Sequence, residues 1–265
     1  MNPPPRILSI AGSDSSGGAG IQADLKTIEM LGGYAMTAIT AITAQNTLGV
    51  RGVQILPPDF IAQQIECCLS DIGADAIKIG MLGSRDIAFA IEGSLASRNI
   101  DIVFDPVMVA TSGSVLADEA TIDGFNRLMA ISRLVTPNLP ELEVLTGKPC
   151  VTDGEIADAA NSIIDQYNCA VLVKGGHAEG PHLTDYLFDP AHRTAAFTDA
   201  RIETRHTHGT GCTLSAAIAT VLGHGQPLEH AVRLARRFTR SAIGCAPGFG
   251  EGHGPLGHNA VGRKK

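Results

Sequence analysis

Short apolar runs recur along the chain, each followed by a stretch of helical periodicity, and this alternation restricts the fold more than any single motif does. Residues 7–11, 34–44, 76–79, 102–104, 134–136 and 170–173 read as strands. Helical stretches are expected at 84–97, 118–130, 139–146 and 155–167. Three more complete the set. In the first, Ile21, Leu25, Ile28 and Leu31 share a face before Gly32-Gly33; the second starts at Pro57-Pro58-Asp59 and runs to about Asp71; the third follows Leu214 and stops at Gly223. Strand–helix alternation implies a parallel sheet with right-handed crossovers and helices on both faces. A (β/α)₈ barrel is the competitor, but residues 184–189 and 193–199, joined across Pro190-Ala191-His192, read as an antiparallel hairpin that breaks the alternation. The expectation is therefore an α/β fold: a doubly wound, mostly parallel central sheet, as a single domain over residues 1–265. A chain of 265 residues with 44% hydrophobic composition can bury such a core, and no stretch reads as a linker.

Charge narrows the partners. The net charge is −7, and the sole basic run is Arg263-Lys264-Lys265, which argues against a nucleic-acid surface and for a small molecule. Nowhere do eighteen apolar residues run together, and the N-terminal apolar run breaks at Gly12, so no membrane segment or signal peptide is expected and the protein reads as soluble and cytoplasmic. Cysteines 67, 68, 150, 169, 212 and 245 lack C-x-x-C spacing and read as reduced thiols, mostly in the core. The nine histidines offer no H-E-x-x-H pattern, so a structural zinc is not expected.

In open α/β sheets, ligands bind beyond the carboxyl ends of the strands. Those ends carry capable side chains: Gly12 and Asp14, Gln45 and Asn46, Gly80 and Met81, Asp105, Asn138 and Glu141, Lys174. They are expected to converge on one cleft. The stretch from His206 to Ser215 joins a glycine loop to an apolar helix, so Gly209, Thr210, Gly211 and Cys212 form a helix N-terminal approach whose unpaired amides attract anions.

The first loop, 12–18, fits two other frames incompletely. Gly12-x-x-x-x-Gly17 has the spacing of a Walker loop, but Gly18 stands where lysine is required. Gly18-Ala19-Gly20-Ile21-Gln22-Ala23 fits a dinucleotide fingerprint, yet the next strand ends in no carboxylate for a ribose; an NAD-dependent oxidoreductase is the alternative this frame leaves. Asp24 serves as an early helix acid, or as a ligand if the loop bends back. Gln45 is either a turn residue or the planar partner of a ring nitrogen beside an exocyclic amine. Asp105 and Glu141 suit Mg²⁺, directly or through water, while Glu141 also suits a helix first turn. Lys174 either neutralises phosphate or is a surface cation. His208 adjoins the loop, and 248–258 reads as a flexible end folded over the sheet.

Together, residues 11–26, Ala44-Gln45-Asn46-Thr47, 78–82, Asp105-Pro106-Val107-Met108, 136–141, 173–177 and 208–216 resemble the hydroxymethylpyrimidine/phosphomethylpyrimidine kinases of thiamine biosynthesis, within the ribokinase-like superfamily. The resemblance runs in order through nearly the whole chain. It implies ATP-dependent phosphorylation of 4-amino-5-hydroxymethyl-2-methylpyrimidine and then of its monophosphate, with Mg²⁺ and a homodimer. By position it implies Gly12, Asp24, Gln45, Met81 and Val107 at the pyrimidine, with His208 beside them. Asp105 and Glu141 would stand near the metal, Asn138 and Lys174 at the nucleotide phosphates, and Gly209 to Cys212 at the transferring group. Most ribokinase-like enzymes carry aspartate where Cys212 stands, and the pyrimidine kinases carry cysteine. A thiol at a helix N-terminus is expected to have a lowered pKa and to accept the alcohol proton in the first transfer. A pyridoxal kinase of the same fold and a non-catalytic pyrimidine-binding module are the other readings.

Overall fold

Strands β1 (Arg6–Asp14), β2 (Tyr34–Asn46), β3 (Gly49–Ile55), β4 (Ala76–Ile79), β5 (Asp101–Phe104), β6 (Leu134–Val135), β7 (Ala170–Val173), β8 (His182–Phe188) and β9 (Thr194–Ala200) form one sheet. Their spatial order is β3-β2-β1-β4-β5-β6-β7-β8-β9. The computed structural model describes residues 3–110, 113–177, 180–191 and 193–262. The six central strands are parallel, and β3, β8 and β9 extend the two edges antiparallel. Among the described residues eight α-helices pack on it: α1 (Gly20–Met30), α2 (Pro58–Asp71), α3 (Arg85–Leu95), α4 (Glu119–Ile131), α5 (Leu139–Thr146), α6 (Asp153–Tyr167), α7 (Thr210–Gly223) and α8 (Leu228–Gly244). The mostly parallel sheet with helices on both faces is as expected. Among the described residues no helix is long and apolar enough to cross a membrane, and all six cysteines are free.

Strand alternation sorts the core into two layers. Leu8, Ile10, Ile77, Ile79, Phe104, Val135 and Val171 pack with α2 to α6, whereas Ile7, Ala76, Val103, Leu134 and Leu172 pack with α1, α7 and α8. The chain steps outward from β1 to β2, then crosses back over β1 to β4. That reversal opens a crevice above the carboxyl ends of β1 and β4, where the topology favours a ligand.

Two expectations need correction, and two elements, β3 and α8, have no expectation to match. The loop expected at 12–18 starts later: β1 continues to Asp14 because Ser13 and Asp14 pair with Ile42 and Thr43 of β2, after a register shift at Gly12. Strand β3 went unread, although Val50, Val53 and Ile55 lie on an exposed edge where burial sets no period. Helix α8 also went unread, despite a strong apolar face of Val232, Ala235, Phe238 and Ala242. Lastly, residues 248–258 do not form a loose end but a strap. His253 N–H donates to the Thr47 carbonyl at 3.0 Å, Gly257 N–H to Ala242 at 2.9 Å, and the Gly254 carbonyl accepts from His208 N–H at 3.1 Å. Its glycines permit this: a Cβ on Gly252 would stand 2.1 Å from the Thr47 oxygen, and one on Gly257 2.0 Å from the Cys245 oxygen.

Candidate active site

Gly209 caps α7 with φ 85°, and a Cβ there would lie 1.9 Å from the Gly18 carbonyl oxygen, so only glycine lets the first loop touch the helix start. Thr210 is tied back by its N–H and Oγ1, which donate to the Thr207 carbonyl at 3.2 and 2.7 Å. The amides of Gly211 and Cys212, in the first turn, have no acceptor within the helix and are disposed to receive an anion. A Cβ on Gly211 would sit 3.4 Å from Asp105 Oδ2 and 3.5 Å from Lys174 Nζ. Amides, ammonium and carboxylate therefore meet within one phosphate's reach.

Asp105 follows β5 and Lys174 follows β7, both on the sheet face that α7 covers. Lys174 Nζ lies 2.8 Å from Asp105 Oδ1 and 3.6 Å from Glu141 Oε2. Thr136 Oγ1 donates to Asp105 Oδ1 at 3.0 Å, and Ser215 Oγ to Oδ2 at 3.4 Å. Burial would raise the Asp105 carboxyl, but Lys174 and Lys78 hold it below the usual carboxylate range. Burial also lowers an ammonium, yet the two carboxylates keep Lys174 above its ordinary value and charged. Asn138 caps α5 in a reciprocal box: its Oδ1 accepts from Glu141 N–H at 2.8 Å and its own N–H donates to Glu141 Oε2 at 2.7 Å. Glu141 thus has the helix-cap role and the cleft position at once. Among the described residues no three His, Cys, Asp or Glu side chains gather as a metal site. With Lys174 on both acids, the donor set suits Mg²⁺ held by phosphate oxygens and water, the carboxylates accepting from that water.

Cys212 overturns the expectation of a lowered pKa. Burial pushes its thiol up to about 11; Lys78 opposes the shift, and Asp24 and Asp105 add to it. Lys78, beneath it, is a buried cation at the cleft floor that the sequence reading does not single out. It sits in β4 beside Ser9 of β1, on the face turned to α1, and its Nζ lies 2.8 Å from Asp24 Oδ2 with both side chains fully buried. Ser9 Oγ donates to the same Asp24 oxygen at 2.6 Å. Asp24 is therefore not a first-turn acid facing solvent, nor does it line the cleft; it is the counter-ion of Lys78, below the floor. A lysine inside the apolar strand Ala76-Ile77-Lys78-Ile79 was the available signal.

The far end of the cleft is polar, with the Asp14 carboxylate held against His208. Gln45 leaves β2 at a bulge, with its backbone locked to Ser15: Ser15 Oγ donates to the Gln45 carbonyl at 2.9 Å and accepts from Gln45 N–H at 2.9 Å. Asn46 does not join it in the cleft; its Oδ1 accepts from the Leu48 and Gly49 amides and serves the turn. His208 Nε2 lies 2.8 Å from Asp14 Oδ2. Burial would raise the Asp14 carboxyl, but His208, Ser16 and the Ala19 amide bring it down to about 2. Gly12 admits Met81, whose Sδ would stand 2.6 Å from a Cβ there. Gly18 and Gly20 use their missing side chains on His208 and on the Gly12 carbonyl, not on a dinucleotide.

One cleft of about 920 Å³ takes in Gly12, Asp14, Gln45, Met81, Asp105, Val107, Asn138, Glu141, Lys174, and His208 through Cys212. Gly80 is absent from its lining and packs on Lys78, whose Nζ a Cβ would meet at 2.6 Å. Arg236 of α8 also lines the cleft; it sits 2.9 Å from Asp185, whose other oxygen accepts from the Gly175 amide at 2.8 Å and so steadies the turn after Lys174. An arginine on the apolar face of an amphipathic helix was the missed signal there. Val107 to Ala110, Gly113 and Val115 to Ala117 form the cleft's apolar lip, joined at Val109 and Val115; residues 111 and 112 lie outside the described residues.

A family model described as phosphomethylpyrimidine kinase matches residues 14–257. A hydroxymethylpyrimidine/phosphomethylpyrimidine kinase of Rhizobium meliloti (strain 1021) is 46% identical over 255 residues, covering 95% of this chain and 96% of that protein. The thiamine biosynthesis bifunctional protein ThiED of Geobacter sulfurreducens is 45% identical over 256 residues; these are 95% of this chain but 52% of that protein, so the chain spans about half its length. The structure of a Staphylococcus aureus pyridoxal kinase in complex with AMP-PCP and pyridoxal is similar at a TM-score of 0.90 and 34% identity, covering 100% of this chain and 97% of that one.

Proposed function

The chain belongs to the phosphomethylpyrimidine kinase family, and on that premise we propose that it carries the γ-phosphoryl group of ATP to 4-amino-5-hydroxymethyl-2-methylpyrimidine, then to the resulting monophosphate, for thiamine biosynthesis. The observation that carries this reading is the meeting of the Gly211 and Cys212 amides with Lys174 and Asp105 at one end of a cleft whose other end presents Gln45. The amides and Lys174 hold the transferring phosphoryl and offset its charge, which is most of what a loose transition state requires. Asn138 is bridged to Lys174 through the backbone, which supports its reading as a partner of the nucleotide phosphates. Gln45 pairs with the ring nitrogen and exocyclic amine, and Gly12, Met81 and Val107 enclose the neutral ring. Asp105 and Glu141 would hold a Mg²⁺ ion through its water, and the ion would supply positive charge against the nucleotide phosphates. The protein acts as a homodimer, a reading supported by exposed Ile42, Leu48, Val53, Ile55 and Phe60 along the β3 edge.

In the first transfer the hydroxymethyl oxygen attacks the γ-phosphorus, the β–γ bridging oxygen departs with ADP, and the alcohol proton passes late to a non-bridging oxygen of the transferring phosphoryl group. In the second, an ionised phosphate oxygen attacks and no base is needed. Because the Cys212 thiol is neutral well above physiological pH, it contributes position and leaves the stabilisation to the amides. Cys212→Ala should therefore slow both transfers alike, by less than about tenfold, against the 10²–10⁴ that a lost general base forfeits. Selective loss of the first transfer would identify the thiol as its base.

Pyridoxal is the second reading, favoured by the likeness to the Staphylococcus aureus enzyme. Steady-state assays with MgATP and hydroxymethylpyrimidine, its monophosphate and pyridoxal decide the matter. The expected order of kcat/KM puts both pyrimidines above pyridoxal; turnover of pyridoxal alone would reverse the assignment, and ligand binding without ATP turnover would make the chain a binding module.

A further inference from the structure

The side chain of Gln45 lies between two hydrogen-bonding neighbours whose protons can be counted. At one end its Nε2 stands 3.4 Å from His208 Nε2. At the other its Oε1 stands 3.2 Å from Thr43 Oγ1. Asp14 Oδ2 receives His208 Nε2 at 2.8 Å, together with the Gly18 and Ala19 amides at 3.0 and 2.8 Å and Ser16 Oγ at 2.9 Å, so it is an acceptor surrounded by donors. His208 Nε2 therefore carries a proton and cannot accept one from Gln45. Thr43 has a single hydroxyl proton, and it also faces the Ser13 carbonyl at 3.0 Å. A half-turn of the Gln45 amide about its last side-chain bond exchanges nitrogen and oxygen in place. Oxygen then faces the His208 N–H as the longer branch of a proton that Asp14 holds at 2.8 Å, nitrogen donates to Thr43, and Thr43 donates to Ser13. No two donors then face each other.

We infer that Asp14 and His208 fix the orientation of the Gln45 amide, and with it which way round the pyrimidine lies in the cleft. The inference rests on the reading of Gln45 as partner of the aminopyrimidine edge. An amide anchored at both ends keeps one lone pair and one N–H directed between the anchors, the acceptor on the His208 side and the donor on the Thr43 side. A substrate meets this pair only with its exocyclic amine toward His208 and its ring nitrogen toward Thr43. That choice decides where the hydroxymethyl group points, hence whether it reaches the amides of Gly211 and Cys212. His208 is thus a positioning residue, acting on the substrate through Gln45, and the strap supports it through the Gly254 carbonyl.

The test compares 4-amino-5-hydroxymethyl-2-methylpyrimidine with its 4-oxo counterpart, whose edge has donor and acceptor exchanged. The wild-type enzyme should prefer the amine by about 10²–10⁴ in kcat/KM, because the fixed amide meets the oxo edge donor to donor and acceptor to acceptor. His208→Phe keeps a ring but no donor, and Asp14 retains its three other donor groups, so no buried charge is stranded. In that variant the amide turns freely and the preference should fall at least about tenfold. Thr43→Val frees the other end and should relax it too, which keeps the test alive if His208→Phe does not fold. His208→Gln, which restores an N–H donor, should return the ratio toward wild type. A preference unchanged in folded, active His208→Phe or Thr43→Val overturns the inference alone. A wild type that phosphorylates neither pyrimidine overturns the functional reading and this inference with it.

Discussion

Replacing Lys174 with alanine is expected to lower kcat/KM for both phosphorylations by about 10²–10³-fold, the usual consequence of removing one preorganised donor from a developing oxyanion. The expectation follows from where the ammonium stands: 3.5 Å from the Gly211 Cβ position, among amides that lack helix partners, with 15% of its side chain exposed toward the cleft. The substitution also leaves Asp105 and Glu141 buried without their cation, so folding stability should fall by about 3–5 kcal/mol in urea titrations at neutral pH. The pH dependence then separates the two losses. In the wild type Asp105 is held low by Lys174, so its contribution to stability is present above the ordinary carboxylate range and disappears as pH falls. Without Lys174, only Lys78 and Thr136 oppose the burial of Asp105, so its carboxyl moves up and the variant should lose less of its remaining stability in acid than the wild type does. Adding Asp105→Asn to Lys174→Ala should recover much of the stability and none of the rate. Recovery of rate with stability would show that Lys174 serves the fold alone.

How much of this was legible in the sequence divides along a physical line. The central strands and α5 were readable because buried parallel strands are short continuous apolar runs and Asn138 to Glu141 is a capping box. Strand β3 was not, because an edge strand with both faces exposed carries no alternation to detect. The cleft residues at strand ends were found because topology sends them to one rim whatever their packing. What could not be read was direction: Asp24 and Glu141 are both acids early in a helix, yet one points under the sheet's ligand end to a buried lysine and the other into the cleft. Cys212 failed for a related reason. The helix start does favour a thiolate, but its burial beside Asp24 and Asp105 outweighs that field, and neither acid is near it in sequence. The glycines at 250–257 suggested freedom because chain entropy is all that a lone sequence shows; the structure uses them for backbone contact with Thr47, His206 and Cys245.

Asp24→Ala should be among the most destabilising single substitutions in the chain, by about 3–5 kcal/mol, since it strands the buried Lys78 ammonium without its counter-ion. Lys78→Met should do comparable harm by stranding the carboxylate. Changing both, Asp24→Leu with Lys78→Met, should bring stability back to within about 1–4 kcal/mol of wild type on either side, because a buried pair returns little beyond its own desolvation. Among the described residues Asp24 Oδ1 has no hydrogen-bond partner, which makes this pair weaker than a fully satisfied one and moves the expectation toward the stable side. The double variant then isolates what the pair does for chemistry. Lys78 touches the cleft from below and adds positive potential under Cys212 and Asp105, beside the amides that hold the transferring group. If that field matters, the double variant should fold well and still lose about tenfold or more in kcat while KM for the pyrimidine changes little, the pattern of an interaction made chiefly in the transition state. Unaltered kcat in a stable double variant would reduce Lys78 and Asp24 to a structural pair. A stable but slow enzyme would instead explain why a lysine is kept inside an otherwise apolar strand: its charge is better used on a phosphoryl group in flight than on the fold.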